Sequence, residues 1–153
     1  MVREIEKNKK HYDFINQYLL LPEYEVYLTK DHWRQLGYYS HSGRLVGSII
    51  FAVQPTRTLI LYTVVTLDWR GTGINKQLAT AVERISAELN KTRVSVNIRQ
   101  TNTASLISFL KSGYLISRST DSYNNGEKKI SLVKQLKYVQ QAEKSSTQEM
   151  QDL

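Results

Sequence analysis

Val64-Val65-Thr66-Leu67-Asp68-Trp69-Arg70-Gly71-Thr72-Gly73-Ile74-Asn75-Lys76-Gln77-Leu78 decides the reading of this chain. An apolar strand runs there into a glycine-bearing loop and then into a helix. Residues 59–66 are dense in β-branched and aromatic side chains, the composition of a buried strand. From Gly73 the apolar spacing changes: Ile74, Leu78, Ala81, Val82, Ile85 and Leu89 recur at three and four residues, as on a helix that continues to about Asn90. The first N–H groups of that helix have no intrahelical partner, and its aligned peptide dipoles place about half a positive charge at the same end. The loop is therefore expected to cradle an anion, with Gly71 and Gly73 letting a phosphate approach the backbone.

A dinucleotide fingerprint needs three glycines in a tight turn, and a mononucleotide P-loop needs Gly-Lys-Ser/Thr at its end. Neither is present. Arg70-Gly71-Thr72-Gly73-Ile74-Asn75 instead resembles the pyrophosphate loop of the Gcn5-related N-acetyltransferase (GNAT) family, Arg/Gln-x-x-Gly-x-Gly/Ala, with strand and helix on the expected sides. A second family signature follows. Val94 to Asn102 reads as a strand ending near an Asn; a short helix and Gly113-Tyr114 come next, spaced like the family's Asn-x-x-Ala-x-x-x-Tyr-x-x-x-Gly-Phe. Ser105 stands for the small residue, Phe109 for the tyrosine and Tyr114 for the phenylalanine. The resemblance runs from about residue 44 to residue 136.

The resemblance implies an α/β fold in one domain: a mixed, mostly antiparallel central sheet flanked by helices. It implies acetyl-CoA as co-substrate and transfer of its acetyl group to a primary amine, on a small molecule or a protein, by direct attack. It assigns the backbone of Thr63, Val64 and Val65 to the thioester, with Val64 and Val65 polarising its carbonyl. Arg70, Gly71, Thr72, Gly73, Ile74, Asn75 and Lys76 take the pyrophosphate, and Asn102, Ser105 and Phe109 the pantetheine arm or thiol end. Three departures stand beside it. Asn97 occupies the usual base position and cannot take a proton; Phe109 occupies the usual acid position and cannot give one. Asn75 fills a position that is Gly or Ala in the family, so its side chain must point away from the phosphates or bond to one. Asp68, His41 and Glu25 are alternative bases by location, and Tyr38, Tyr39 and Tyr62 could reach a cleft. Strand alternation sends Tyr38 and Tyr39 to opposite faces. A CoA-binding module with impaired catalysis and an acetyltransferase of aminoacyl-tRNA are the competing readings.

The 153 residues suffice for one domain with a real core. Without cysteine there is no disulfide, thiolate metal site or cysteine nucleophile, which suits a reducing cytoplasm. His11, His32 and His41 lack metal-ligand spacing, so no metal is expected. No apolar run is long enough to span a bilayer, and charges stand where the apolar segment of a signal peptide would lie. The net charge of +7 is clustered at Lys7, Lys9, Lys10 and His11 and again at Lys128, Lys129, Lys134 and Lys137. It suits steering of a polyanionic co-substrate, and no nucleic-acid motif accompanies it. The expected assembly is a monomer or homodimer.

Along the chain, the first ten residues read as a short strand or arm. Tyr12, Phe14, Ile15, Tyr18 and Leu19 form a helical stripe ending near Pro22, and a second short helix runs from Glu23 to about Lys30. Leu36–His41 and Arg44–Val53 form a hairpin around Ser42-Gly43. After the long helix come a strand over 93–98, a helix over 103–112, and a hairpin of 114–120 with 128–137 around Asn124-Asn125-Gly126. Residues 1–137 make up the domain. Residues 138–153, rich in Gln, Ser and Glu, read as a mobile or loosely helical tail.

Overall fold

A computed structural model describes residues 1–120 and 128–136. Its elements in chain order are β1 (Val2–Ile5), α1 (Lys9–Asn16), α2 (Tyr24–Thr29), β2 (Trp33–Tyr39), β3 (Leu45–Val53), β4 (Arg57–Val65), α3 (Ile74–Glu88), β5 (Arg93–Arg99), α4 (Thr103–Lys111), β6 (Leu115–Thr120) and β7 (Lys129–Gln135). The fold is mixed α/β, and β1/β2, β2/β3, β5/β7 and β6/β7 all pair antiparallel. The chain divides into two compact units: Met1–Gln54 with Leu59–Val82, and Pro55–Thr58 with the chain from Glu83 onward. The turn read at Asn124-Asn125-Gly126 and the tail over 138–153 lie outside the described residues.

In the first unit the strand order is β1-β2-β3-β4. From Val46 to Ala52 every residue of β3 is buried, which is why its sequence is an apolar run and not an alternation. Gly47 lies within that run because α3 comes close: a Cβ there would stand 2.8 Å from Cγ2 of Ile74. The first turn of α3 is thereby seated on β3. The hairpin turn at Ser42-Gly43 is as read from the sequence, and β2 begins three residues earlier than expected.

The helix α1 is capped by Asn8, whose Oδ1 accepts the His11 N–H at 2.9 Å, and stops at Asn16 instead of near Pro22. The apolar stripe does continue in sequence, but local hydrogen bonds turn the chain back. Tyr18 and Leu19 N–H both donate to the Ile15 carbonyl, and the Asn16 carboxamide oxygen accepts the Leu21 N–H at 3.0 Å. A short polar side chain that bonds its neighbouring backbone competes with helix propagation. Leu21 is buried by this turn, while Leu20 is left 92% exposed.

Tyr12, Ile15, Leu21, Tyr27, Ile50 and Val64 form one buried cluster of this unit. Beside it lies a fully buried polar hub. The carboxamide oxygen of Gln35 on β2 accepts the hydroxyl of Tyr27 on α2. Its NH2 group donates to Ser48 Oγ on β3 at 2.9 Å and to the His11 carbonyl on α1 at 3.3 Å. Ser48 Oγ passes the chain on to the Leu36 carbonyl at 2.7 Å. Burial pushes the Tyr27 phenol up, so it stays a donor. Replacing Gln35 by leucine keeps the volume and strands the Tyr27 hydroxyl. The expected loss is about 1–3 kcal/mol for that buried group, read as a lower midpoint in denaturant unfolding.

In the second unit the order is β5-β7-β6. Tyr114, read as the first residue of a strand, precedes β6 and is buried. Its hydroxyl donates to Glu83 Oε2 at 3.1 Å. Lys134 pairs with Glu83 Oε1 at 2.8 Å and donates to the Ser112 carbonyl at 2.9 Å. Thr58 and Ser86 share a buried hydroxyl bond of 2.7 Å.

Candidate functional site

The loop that the sequence singles out belongs wholly to the first unit. The last bond of β4 is Thr66 N–H to the Val46 carbonyl at 2.9 Å. Where the sequence suggests a strand running straight into the loop, the structure inserts a 3-10 turn over Leu67–Trp69. The Trp69 N–H returns to the Thr66 carbonyl, and Thr72 Oγ1 donates to the Trp69 carbonyl at 2.5 Å. Arg44 on the hairpin pairs with Asp68 at 3.0 Å, and Arg70 Nε donates to the Val65 carbonyl at 3.1 Å. These contacts fix both shoulders of the loop.

Between them Gly71 and Gly73 have φ of 77° and 85°, the left-handed region that side chains other than glycine rarely enter. A Cβ built on either would meet nothing within 4 Å. These glycines therefore face open space; backbone conformation, not crowding, demands them. The first helical bond of α3 is Gln77 N–H to the Gly73 carbonyl at 3.1 Å. The N–H groups of Ile74, Asn75 and Lys76 are thus the orphan donors of the first turn. Asn75 is half-buried, and its Oδ1 is buried without a hydrogen-bond partner among the described residues. Arg70 and Lys76 are exposed cations on the two sides of the glycines. Val64 is buried, with Thr63 and Val65 half-buried beside it.

The other residues named from the sequence lie in the second unit. Asn97 on β5 is exposed, and its Oδ1 accepts the Ser131 hydroxyl at 2.6 Å from β7. Asn102 caps α4, accepting the Ser105 N–H at 3.2 Å. Ser105 is half-buried and Phe109 is buried against Tyr114.

The alternative proton acceptors gain little. Asp68 is held by the Arg44 guanidinium, which keeps its carboxyl below the usual carboxylate range and makes it a weaker base. His41 is exposed in the hairpin turn, and Glu25 is exposed in the first turn of α2. A register slip between Tyr38 and Tyr39 breaks the strict alternation expected there, and both are half-buried; the Arg3 guanidinium lies 4.5 Å from the Tyr39 ring centre. Tyr62 on β4 is half-buried, and burial pushes its phenol up. Its ring centre is 6.0 Å from that of Trp33, a residue that no sequence pattern singled out. Among the described residues no group of three or more His, Asp or Glu is placed to hold a metal ion, and no helix is long and apolar enough to cross a membrane.

The fold has many solved counterparts. The IAA acetyltransferase of Bacillus cereus superposes with a TM-score of 0.77 at 15% identity, over 89% of this chain and 99% of that one. The spermidine/spermine N-acetyltransferase SpeG of Vibrio cholerae gives 0.74 at 12% identity, over 92% and 95%. Nourseothricin acetyltransferase gives 0.64 at 14% identity over 69% of this chain, which spans 66% of that protein's length. No curated protein matches the sequence. The model of the acetyltransferase (GNAT) family matches residues 4–114, a span that includes the strand, the glycine loop, α3 and the Asn102 to Tyr114 segment. The chain belongs to the acetyltransferase (GNAT) family, and it is an acyltransferase by that membership.

Proposed function

We propose that the protein transfers the acetyl group of acetyl-CoA to a primary amine, and that the loop from Arg70 to Lys76 holds the diphosphate of that co-substrate. The observation that carries this is the pair of left-handed glycines facing open space at the N-terminus of α3. Orphan N–H groups and the helix dipole favour an anion there, and Arg70 and Lys76 add charge. Val64 and Val65 are proposed to polarise the thioester through backbone N–H groups. Asn102, Ser105 and Phe109 of the second unit are proposed contacts of the pantetheine arm.

Holding amine and thioester in line supplies roughly 7–11 kcal/mol of the barrier in well-oriented reactions. Proton transfer receives less help here. Asn97 has no basic atom and is engaged by Ser131, and Phe109 has no proton to give. The acceptor must then arrive as the free amine and shed its proton to water. With no protein base, kcat/KM is expected to rise with pH until the acceptor amine's own pKa is passed. A plateau well below that pKa would reveal a protein base.

The direct test is thermal unfolding with acetyl-CoA, followed by CoA thiol release over a panel of primary amines. A ligand that binds only the native state adds about 2.7 kcal/mol at a hundredfold excess over its Kd. A clear rise in melting temperature with amine-dependent thiol release is expected. Binding without turnover would favour a non-catalytic CoA-binding module. RNA binding that weakens steeply with salt would instead favour a nucleic-acid substrate.

A further inference from the structure

A shelf of half-buried rings adjoins the strand that carries Val64. Phe14, Tyr24, Trp33, Leu61 and Tyr62 all pack on the buried cluster to which Val64 belongs. Tyr62 precedes Val64 by two residues on β4, about 7 Å along an extended chain. Trp33 meets Tyr62 at 6.0 Å and 60°. The Trp33 indole N–H and the Tyr62 hydroxyl have no hydrogen-bond partner among the described residues. The hydroxyls of Tyr12, Tyr27 and Tyr114, by contrast, are all committed, to the Pro22 carbonyl, Gln35 and Glu83.

Both signs of charge stand beside these rings. The Lys9 ammonium lies 5.1 Å from the Tyr12 ring centre and 5.3 Å from that of Tyr24, and Lys30 lies 5.9 Å from that of Trp33. The Tyr24 and Trp33 rings of the shelf thus already carry ammonium groups of the protein itself. Lys9 is itself paired with Asp13, and the exposed carboxylates of Glu23, Glu25 and Asp31 stand beside Tyr24 and Trp33 in the sequence. The half-buried ring faces themselves offer a hydrocarbon body apolar contact.

We propose that Trp33 and Tyr62 form the acceptor shelf, and that the acceptor is a monoamine carried on an aromatic or aliphatic body. The inference rests on the acetyl transfer proposed above and adds the acceptor's class to it. The body lies along the rings, while its amine is directed along β4 toward Val64. Neutral amine attacks the acetyl carbonyl, the new C–N bond forms and the C–S bond breaks. The electron pair leaves on sulfur, and the proton lost from nitrogen reaches the thiolate through water.

The test compares 2-phenylethylamine, methylamine and spermidine as acceptors in wild type, Trp33→Ala and Trp33→Phe, with acetyl-CoA affinity measured by calorimetry. Expected is a kcat/KM for 2-phenylethylamine at least about tenfold above the other two. That advantage should vanish in Trp33→Ala and persist in Trp33→Phe, with acetyl-CoA affinity unchanged in both. Binding is read separately. The chain has two tryptophans, so in a Trp69→Phe background the emission comes from Trp33 alone. It should respond to 2-phenylethylamine and not to spermidine. Equal or better turnover of spermidine overturns the proposal, as does an advantage that survives Trp33→Ala. If acetyl-CoA fails to bind, the acetyl-transfer reading falls first. The emission response then decides the shelf: a response to 2-phenylethylamine alone upholds it, and silence overturns it.

Discussion

Replacing Gly73 by valine should abolish the rise in melting temperature that acetyl-CoA produces, and should lower the melting temperature of the free protein as well. The two effects have different origins. At φ of 85° a β-branched residue is strained, at about 1–3 kcal/mol, although a Cβ there touches nothing. The free protein therefore loses stability through its backbone and not through a clash. The same open space is where a phosphate would approach the N–H groups of Ile74 to Lys76, and two valine methyl groups would project into it. Binding worth about 2.7 kcal/mol at a hundredfold excess would then vanish. Gly73→Asn separates the two effects, because asparagine tolerates the left-handed region better than valine while still carrying a side chain. It should melt near the wild-type temperature and bind acetyl-CoA weakly. A folded Gly73→Val protein with an undiminished acetyl-CoA shift would place the co-substrate elsewhere.

The sequence made this loop legible because its two requirements are local. A change of apolar period from strand to helix marks where the helix starts, and two glycines with a single residue between them mark a backbone that must leave ordinary φ. β3 was equally plain, since a strand buried on both faces shows itself as an apolar run. The end of α1 was not. Tyr18 and Leu19 continue a perfect helical stripe, and only the i→i−3 bond from Tyr18 to Ile15 and the bond from Leu21 to the Asn16 side chain reveal that the chain has turned back. The 3-10 turn at Leu67–Trp69 was hidden for a similar reason, its bonds being local and without a periodic signature. Gln35 lay further from reach. A glutamine in a strand reads as a solvated residue until α1, α2 and β3 deliver a carbonyl and two hydroxyls around it. Trp33 and Tyr62 stand 29 positions apart and meet only through the register of the first unit's strands.

At Phe109 sequence and structure pull on the same residue from two directions, and its substitution should cause the largest loss of stability. The ring is 4% exposed and sits edge-on to Tyr114, with centres 5.0 Å apart and planes at 87°. Tyr114 is in turn held by Glu83, and Glu83 by Lys134, which also reaches the Ser112 carbonyl at the end of α4. Phe109→Ala would open a cavity under this network at a cost of about 3–5 kcal/mol, including the aromatic contact. Denaturant unfolding measures it, and a loss below 1 kcal/mol would show that the ring is not part of the core of the second unit. Phe109→Tyr asks the functional question. The family resemblance aims a hydroxyl at this position toward the departing sulfur, where it would have a partner and could protonate the thiolate. On that reading the variant should melt close to wild type and turn over equally fast or faster, since a well-placed general acid is worth about a hundredfold or more when proton transfer limits the rate. If instead the far edge of the ring faces the core, the added hydroxyl is buried without a partner and costs about 1–3 kcal/mol. A fall in stability of that size, with slower turnover and unchanged acetyl-CoA affinity, would remove Phe109 from the proposed site and leave it to the packing of α4 against Tyr114.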